Sequence, residues 1–425
     1  MPPEGHIGLF LSSWYSQPIL RRVHEKDDEA VFDDRLDRIL AFEQALADDG
    51  ALILKFWMHL SRDAQKRRLT KLEKDPLTSW RVTHQDWDHW QIYDRFASAA
   101  ERTIMRTSTG PAAWTIVEGV DPCFRSLTIG EIVRDEITKH IDEVCRKALL
   151  LEELAKEDKP DAAEQQPQDE VTAGTDAPVT SALRRATVLS SLDMSLHLEK
   201  ADYKKQLKQC QARLNQLHRK ALKKKISTIL MFEGPDAAGK GGAIRRVTAA
   251  LDARHYRVLP IAAPTDEERA HHYLWRFWRH LSRAGRINIF DRSWYGRVLV
   301  ERVEGFASEE EWKRAFAEIN EFEEQLTDSG ILLMKYWVHI SKDEQLARFK
   351  AREQTPHKRW KLTDEDWRNR EKWDDYEWAV NDIVEHTSTH SAPWILVEGN
   401  DKRYSRIKVI STFCDRLEAM LDGNK

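Results

Sequence analysis

The chain has 425 residues, of which 41% are hydrophobic and 32% charged, and its formal net charge is −4. This length predicts two or three domains, and the chain has no run of about 18 apolar residues, which excludes a membrane-spanning helix and with it membrane partners. The charge gives no general attraction to nucleic acid, and four separated cysteines without a CxxC pair exclude a zinc finger or a disulfide framework. The N-terminus has no secretory signal, so we expect a cytoplasmic protein.

The first motif along the chain occurs twice. IGLFLSSWYSQP at 7–18 returns as INIFDRSWYGRV at 287–298, and an ungapped offset of 280 aligns residues 5–121 with 285–401 at about 40 identities. We therefore expect a tandem repeat of one α/β domain, with a strand and turn at this motif in both copies. Leu11 and Ser12 stand where the second copy has Asp291 and Arg292. We expect residues 1–150 to form a degenerate domain kept for packing or assembly.

The first copy also lacks its beginning. Adding 280 to Met1 gives Leu281, so the counterpart of everything before Leu281 would precede the chain. Either the first strand and loop were lost, or the chain starts at an internal methionine of a longer reading frame. We favour the second alternative, because losing a strand and helix would remove central pairing partners from a parallel sheet.

A change in composition separates the copies. Residues 156–182 are acidic, rich in Ala, Gln and Pro, and without an aromatic residue, which predicts a disordered linker over 151–182. Leu207, Leu214 and Leu217 then recur at helical spacing, so we expect an amphipathic helix over 198–225. This helix leads into a second domain, residues 183–425, which we expect to carry the chemistry.

Short apolar runs alternate with helical patterns in the second domain. The runs are ISTILMFEG, RVLPIAA, RINIFD, ILLMKYWVHI and PWILVEG. This alternation predicts a parallel sheet flanked by helices, and ligands of such folds bind at the carboxyl ends of the strands.

A glycine-rich loop follows the first of these runs. EGPDAAGKGG matches the phosphate-binding pattern GxxxxGK, and it lies between a β-rich run and an amphipathic helix. Backbone amides, the lysine charge and the helix N-terminus would together hold phosphate oxygens. An ordinary glycine-rich turn is the alternative. The predicted phosphate-binding residues are Gly234, Ala237, Ala238, Gly239, Lys240, Gly241 and Gly242.

Gly241 stands where common nucleotide triphosphatases have the serine or threonine that holds magnesium. Asp236 in the loop and Asp291 at a neighbouring strand end are the candidate Mg²⁺ ligands, since this ion prefers carboxylate oxygens and water. Either could instead orient or deprotonate an attacking oxygen. The alternatives are a helix cap or a structural pair with Arg292.

Arginines follow Asp291 at once. Arg292 and Arg297 could clamp a phosphoryl group and stabilise its charge during transfer, although Arg297 could equally be a solvated surface residue. A basic segment after the strand ILLMKYWVHI predicts a mobile lid, with a solvated helix face as the alternative. Its cations, more than one nucleotide needs, are Arg348, Arg352, Lys358, Arg359 and Lys361.

Four motifs in combination resemble the polyphosphate kinase type 2 family in its fused two-domain form. They are GPDAAGKGG, NIFDRSWYGR, the segment around TPHKRWKLTDEDW, and THSAPWILVEGNDKRYSR. The resemblance implies a P-loop kinase-like α/β fold with a helical lid, dependence on Mg²⁺, and transfer of the terminal phosphoryl group of inorganic polyphosphate to AMP, giving ADP. It assigns Asp236 and Asp291 to Mg²⁺ or the acceptor, Lys240 and Arg292 to the phosphates, and Arg352, Lys358 and Arg359 to the lid.

Three alternatives stay open. The acceptor could be ADP, giving ATP; the donor could be ATP, as in nucleotide kinases of the thymidylate kinase type; or the chain could be a polyphosphate-binding scaffold without activity. The sequence leaves the oligomeric state open, and a homo-oligomer is compatible with it.

Overall fold

The computed structural model describes residues 1–157 and 187–423. The chain divides into two compact units, Glu4–Ser181 and Ala182–Lys425, the latter together with Met1–Pro3. Among the described residues, no helix is both long and apolar enough to cross a membrane.

The first unit contains a two-stranded parallel sheet and helices around it. Its strands pair with Lys55 opposite Trp114, and its core is built from side chains such as Phe32 and Leu36. In chain order its elements are α1 (Ser16–Val23), α2 (Glu29–Asp48), β1 (Lys55–His59), α3 (Arg62–Lys74), a 3₁₀ turn (Ser79–Arg81), α4 (His84–Gln91), α5 (Tyr93–Thr107), β2 (Trp114–Glu118) and α6 (Pro122–Glu157).

The second unit contains a five-stranded sheet in which all pairs are parallel, in the order β4-β5-β3-β6-β7. The strands are β3 (Thr228–Glu233), β4 (Tyr256–Pro260), β5 (Ile287–Asp291), β6 (Leu332–His339) and β7 (Trp394–Glu398). The helices are α7 (Lys200–Lys223), α8 (Lys240–Thr248), α9 (Asp266–Arg269), α10 (Trp275–Trp278), α11 (Val300–Val303), α12 (Glu309–Asp328), α13 (Lys342–Glu353), α14 (Asp364–Glu371), α15 (Trp373–Thr387) and α16 (Lys402–Gly423), with 3₁₀ turns at Leu189–Ser191, Ala253–His255, Trp294–Val298 and Pro356–Lys361.

Helices cover both faces of this sheet, so β3 is buried along its whole length. Ile229 and Met231 join one hydrophobic core, whereas Leu230 and Phe232 join the other, because successive side chains of a strand point to opposite faces. The five predicted runs are confirmed as strands, the predicted helix is confirmed at Lys200–Lys223, and the α/β fold with parallel sheets flanked by helices is confirmed.

A buried lysine forms an ion pair within the core of the second unit. The side chain of Lys335 is fully buried, and its Nζ lies 2.7 Å from Glu323 Oε2, 3.1 Å from the Tyr295 hydroxyl and 2.6 Å from the Thr387 carbonyl. Trp294 Nε1 donates to Glu323 Oε1 at 3.0 Å. The repeated SWY motif therefore supplies two partners of a buried ion pair.

The first unit contains the same network at positions 280 residues earlier. Lys55 Nζ lies 2.7 Å from Glu43 Oε2, 3.1 Å from the Tyr15 hydroxyl and 2.8 Å from the Thr107 carbonyl, and Trp14 Nε1 donates to Glu43 Oε1 at 2.9 Å. SWY thus belongs to the packing of each unit, whereas the two residues before it differ between them.

Two sequence predictions were wrong. The strand predicted at 7–11 does not form: Ile7 is 75% and Leu11 105% exposed. In the second unit β5 lies between β3 and β4, and the described part of the first unit has no counterpart of either, so residues 7–11 have nothing to pair with. The linker predicted over 151–182 was also wrong in its first residues, because α6 continues to Glu157. The remainder of that linker lies outside the described residues.

Candidate active site

The glycine-rich loop connects β3 to α8 by a turn that only special backbone angles allow. Gly234 has φ +145°, and a Cβ atom there would lie 2.4 Å from the Val338 carbonyl oxygen of β6. Gly239 has φ +113° and directly precedes α8, which begins at Lys240. Glycine is thus required at both positions, by the close approach of the strand and by the left-handed backbone.

The loop presents unpaired amides beside an ammonium group. No described residue accepts a hydrogen bond from the backbone amides of Gly239, Lys240 or Gly241, which lie at the start of α8. Lys240 Nζ donates to the carbonyl of Gly234 and approaches that of Pro235 at 3.5 Å. Amides at a helix N-terminus next to a lysine form an anion-binding arrangement.

Arg348 fixes this loop from behind, and its predicted contact with substrate was wrong. Its guanidinium donates to the carbonyls of Ala237 and Ala238 at 2.8 Å each, and to those of Gly399 and Asn400 at 2.7 and 2.9 Å. Nε donates to Glu344 at 2.6 Å. A guanidinium has five N–H groups, and these five bonds use all of them. Arg348 therefore anchors the loop and has no donor left for a phosphate.

Asp236 is held between a cation and an amide. Its Oδ1 lies 3.4 Å from Arg292 Nη2, and its Oδ2 accepts from Asn369 Nδ2 at 2.9 Å. Burial alone would raise the pKa of Asp236, but the nearby Lys240, the Asn369 hydrogen bond and Arg292 outweigh it and hold the pKa below its usual range. Asp236 is thus a half-buried carboxylate that stays ionised. The predicted alternative of a pair with Arg292 is what the structure contains for Asp236.

Asp291 and Arg292 lie at the end of β5, where the chain turns sharply. Arg292 has φ +68°, a left-handed backbone, and its amide donates to the Phe232 carbonyl at 3.1 Å. Burial would lower the pKa of Arg292, but Asp236 and Glu233 raise it above its ordinary value. Within the described residues, the half-buried carboxylate of Asp291 has no hydrogen bond or ion pair.

Beneath this group lies a fully buried acid. Burial raises the pKa of Glu233, although Lys240 and a hydrogen bond of 2.8 Å from the Ser293 hydroxyl oppose the shift. His339 at the end of β6 is half-buried, and the loss of solvent around it lowers its pKa to about 4. His339 is therefore neutral at neutral pH.

A pocket opens beside the loop and combines apolar walls with these polar groups. Its polar part consists of Glu233, Asp236, Arg292, His339, Gln345, Glu365, Asn369 and Glu377. Its apolar and aromatic walls are Leu189, Leu299, Val300, Trp337, Trp373, Tyr376 and Val380. Apolar walls around a few convergent polar groups are typical of small-molecule sites, and aromatic rings suit a flat base.

Arg297 pairs with two glutamates, and its contact with phosphate stays a prediction. Its Nε lies 3.2 Å from Glu301 and its Nη1 3.5 Å from Glu311, and its guanidinium carbon lies 4.6 Å from the centre of the Tyr273 ring. The side chain is 16% exposed. Arg297 pairs with carboxylates among the helices, because the 3₁₀ turn after β5 places it beside α11 and α12.

The basic segment runs from the last turn of α13, where Arg352 is half-buried, to Arg359 and Lys361, which are exposed. Arg352 Nη1 donates to the Lys361 carbonyl at 3.1 Å, and Arg359 Nε donates to the Glu353 carbonyl at 2.7 Å. Lys361 Nζ lies 5.1 Å from the centre of the Trp360 ring. Three cations are thus presented on one short stretch, and Arg352 lies close enough to lower the pKa of Asp236. The side chain of Lys358 lies outside the described structure.

Sequence reasoning missed residues on both sides of the loop. Asn369 and Tyr376 lie in the pocket, while Lys402 and Arg406 begin α16 on the other side. A Cβ atom on Gly242 would lie 3.3 Å from Arg406 Nη2, and the pKa of Lys402 is lowered by burial and by Arg348. The repeat carried a signal for Asn369 and Tyr376, since the matching positions hold His89 and Phe96, whereas Lys402 and Arg406 lie beyond its end.

Mg²⁺ suits the oxygen donors present. Asp236 and Asp291 lie at the carboxyl ends of the paired strands β3 and β5, and Asp291 has carboxylate oxygens without a partner. In the part of the chain that the structure describes, no group of three or more His, Cys, Asp or Glu residues could hold a metal by itself. Mg²⁺ is commonly bound by one or two carboxylates together with substrate phosphates and water, so two are sufficient.

Known proteins match this chain over its full length. The family model polyphosphate kinase 2 matches residues 1–144 and again 197–425. A polyphosphate:AMP phosphotransferase of Pseudomonas aeruginosa is 49% identical over 425 residues, 100% of this chain and 81% of the relative, and one of Acinetobacter johnsonii is 38% identical over 99% and 81%. A crystal structure described as polyphosphate kinase 2 from Pseudomonas aeruginosa has 45% identity and a TM-score of 0.82, covering 100% of this chain and 80% of that one.

Proposed function

Since the chain belongs to the polyphosphate kinase 2 family, with the family domain present twice, we propose that it transfers the terminal phosphoryl group of inorganic polyphosphate to AMP, giving ADP. One observation carries this proposal: Lys240, Arg292 and Asp236 converge beside a row of unpaired loop amides. That arrangement binds phosphate oxygens on one side and opens into a pocket for a nucleotide on the other. The relatives named above support AMP as the acceptor.

In this mechanism the loop is a P-loop that binds the donor. The amides of Gly239, Lys240 and Gly241 donate to the terminal phosphate oxygens, and Lys240 exchanges its contacts with loop carbonyls for contacts with phosphate. Arg292 stabilises the charge of the phosphoryl group while it passes between oxygens, since a guanidinium is always charged. AMP lies in the pocket, with its base against the aromatic walls and its phosphate towards Arg292.

Asp236 and Asp291 would hold Mg²⁺. When bound, this ion would neutralise phosphate charge and keep donor and acceptor oxygens in line. Asp236 is kept ionised by its neighbours, and Asp291 projects from the adjacent strand without a partner of its own in the described residues.

The basic stretch around Arg352, Arg359 and Lys361 forms a helical lid in this proposal. Closing it over the donor would place further cations on the polyphosphate chain and exclude water. Lys402 and Arg406 would extend the same positive surface beyond the loop. A long polyanion uses this many cations, which is why we favour polyphosphate over ATP as the donor.

We assign the chemistry to residues 183–425 and a packing or assembly role to residues 1–150. Leu11 and Ser12 offer no carboxylate or guanidinium there, whereas the first unit retains the buried Lys55 network. A cytoplasmic location and the linker role of 158–182 stay predictions, as does any homo-oligomer.

The decisive test is an incubation of purified protein with Mg²⁺, AMP and polyphosphate without ATP. We expect ADP to form; its absence would contradict the proposal. Parallel reactions with ADP, and with ATP in place of polyphosphate, test ATP synthesis and the ATP-dependent kinase alternative. D291A should abolish turnover but retain polyphosphate binding, whereas the exposed L11A at the matching position should leave the rate unchanged. Full activity in D291A would remove Asp291 from the mechanism.

A further inference from the structure

A chain of polar side chains leads from the end of α11 to the loop carboxylate. The Tyr376 hydroxyl lies 3.3 Å from Glu304 Oε1 and 3.4 Å from Asn369 Oδ1, and Asn369 Nδ2 donates to Asp236 Oδ2 at 2.9 Å. Glu304 is only 5% exposed and is paired with Lys372 at 3.1 Å. The chain therefore has a fixed, charge-compensated end and reaches the candidate active site.

This geometry fixes which way the Asn369 amide points. An asparagine has a carbonyl oxygen that accepts and an NH₂ group that donates. Ionised Asp236 can only accept, so it requires the amide nitrogen on its side. The oxygen then faces the Tyr376 hydroxyl, whose single proton is shared between Asn369 Oδ1 and Glu304 Oε1. This orientation of the amide leaves Asp236 Oδ1 facing Arg292.

The first unit shows that the fold does not need these residues. Helices α4 and α5 have the bounds of α14 and α15 shifted by 280, and both α4 and α14 begin with the same capping box. The matching positions nevertheless hold His24, His89 and Phe96 in place of Glu304, Asn369 and Tyr376. The same helices form with and without these polar side chains. We therefore attribute the polar chain to a role at the glycine-rich loop, which only the unit that contains the chain has among the described residues.

We infer that Asn369 and Tyr376 are positioning residues for Asp236, held by Glu304. They act through the carboxylate: Asn369 fixes Oδ2, so that Oδ1 stays with Arg292 and the whole group is directed at the reacting phosphates. Because Asn369 belongs to α14, directly after the basic stretch, the position of the lid helix sets the orientation of Asp236. This inference rests on the proposed function.

The test compares N369A and Y376F, which keeps the ring, with H89A at the position in the first unit that matches Asn369. Partners that orient a metal ligand commonly change activity or metal affinity about 10- to 100-fold. We expect N369A to lower kcat by about that factor with little change in KM for AMP, and Y376F by about 2- to 10-fold, the effect of one hydrogen bond. H89A should match the wild type. The double variant should be no worse than N369A, because both act through one chain.

A second readout does not need turnover. Mn²⁺ binding, followed by the electron paramagnetic resonance signal of free Mn²⁺ in the presence of AMP, should weaken in N369A while the melting temperature stays the same. Unchanged kcat and unchanged Mn²⁺ binding in N369A would overturn the inference, and so would fully additive losses in the double variant. If the wild type forms no ADP from polyphosphate, the proposed function fails, but the Mn²⁺ titration still decides whether Asn369 orients Asp236.

Discussion

Replacing Arg348 by methionine tests the claim that this residue anchors the phosphate loop. Methionine has a similar length and no donor, so R348M removes all five hydrogen bonds of the guanidinium while filling much of its space. The carbonyls of Ala238 and Gly399 are buried, whereas those of Ala237 and Asn400 are partly exposed and can bind water.

The two buried acceptors set the magnitude. Each buried polar group left without a partner costs about 1–3 kcal/mol, so R348M should destabilise the second unit by about 2–6 kcal/mol. The partly exposed carbonyls add little, because water replaces the arginine. Activity should fall further than the loss of folded protein alone would explain, since Ala237 and Ala238 lie in the loop whose amides bind the donor.

Urea unfolding followed by tryptophan fluorescence measures the first effect, and ADP formation under conditions where the variant is folded measures the second. R68M is the matched control: Arg68 occupies the same position in the first unit and is exposed, so we expect a change below about 0.5 kcal/mol and full activity. Wild-type stability and rate in R348M would refute the anchoring role.

Three further predictions follow from the buried groups. K335M and K55M each leave a buried glutamate without its cation and should lower the free energy of unfolding by about 3–5 kcal/mol. We expect hydrogen–deuterium exchange to rise in the mutated unit, and only K335M to lower ADP formation. Exchange that rises equally in both units for either variant would contradict this. The pKa of His339 is lowered from 6.5 to about 4, so below pH 6.5 the unfolded state binds a proton that the folded state does not bind. Between pH 7 and 5 the free energy of unfolding should therefore fall by about 2 kcal/mol more in the wild type than in H339Q. Parallel stability profiles against pH would disprove this. R297Q should lower stability by about 1 kcal/mol and leave KM for AMP and polyphosphate unchanged, whereas a raised KM would support the predicted contact of Arg297 with phosphate.

Local patterns were sufficient for most of the second unit. Each strand is a short apolar run between polar residues, and the loop carries glycines at two of its three positions with positive φ, Ala237 being the third, so most of these features follow from nearby sequence alone. The strand predicted at 7–11 had the same local pattern and failed, since a strand also needs neighbours that the local sequence does not contain.

The residues of the candidate site also divide into those that the local sequence predicts and those that depend on distant partners. Lys240 and Arg292 could be predicted because their motifs place them directly at strand ends. Arg348 and Arg297 could not, because their roles depend on which carbonyls or carboxylates distant elements bring to them; Arg348 binds carbonyls about 110 residues before it in the sequence. A comparison of the two copies, position by position, would have separated retained packing residues from those found in one copy only.

The left-handed backbone at Arg292 has a consequence for directed evolution. Only glycine adopts φ +68° without a steric penalty, and asparagine tolerates it better than most residues. A library selected for thermal resistance alone should therefore enrich glycine or asparagine at position 292, and those survivors would have lost the guanidinium. Selection for heat tolerance in this protein must include turnover at each round, because a substitution that relieves the backbone strain at position 292 also removes the guanidinium that the proposed reaction needs.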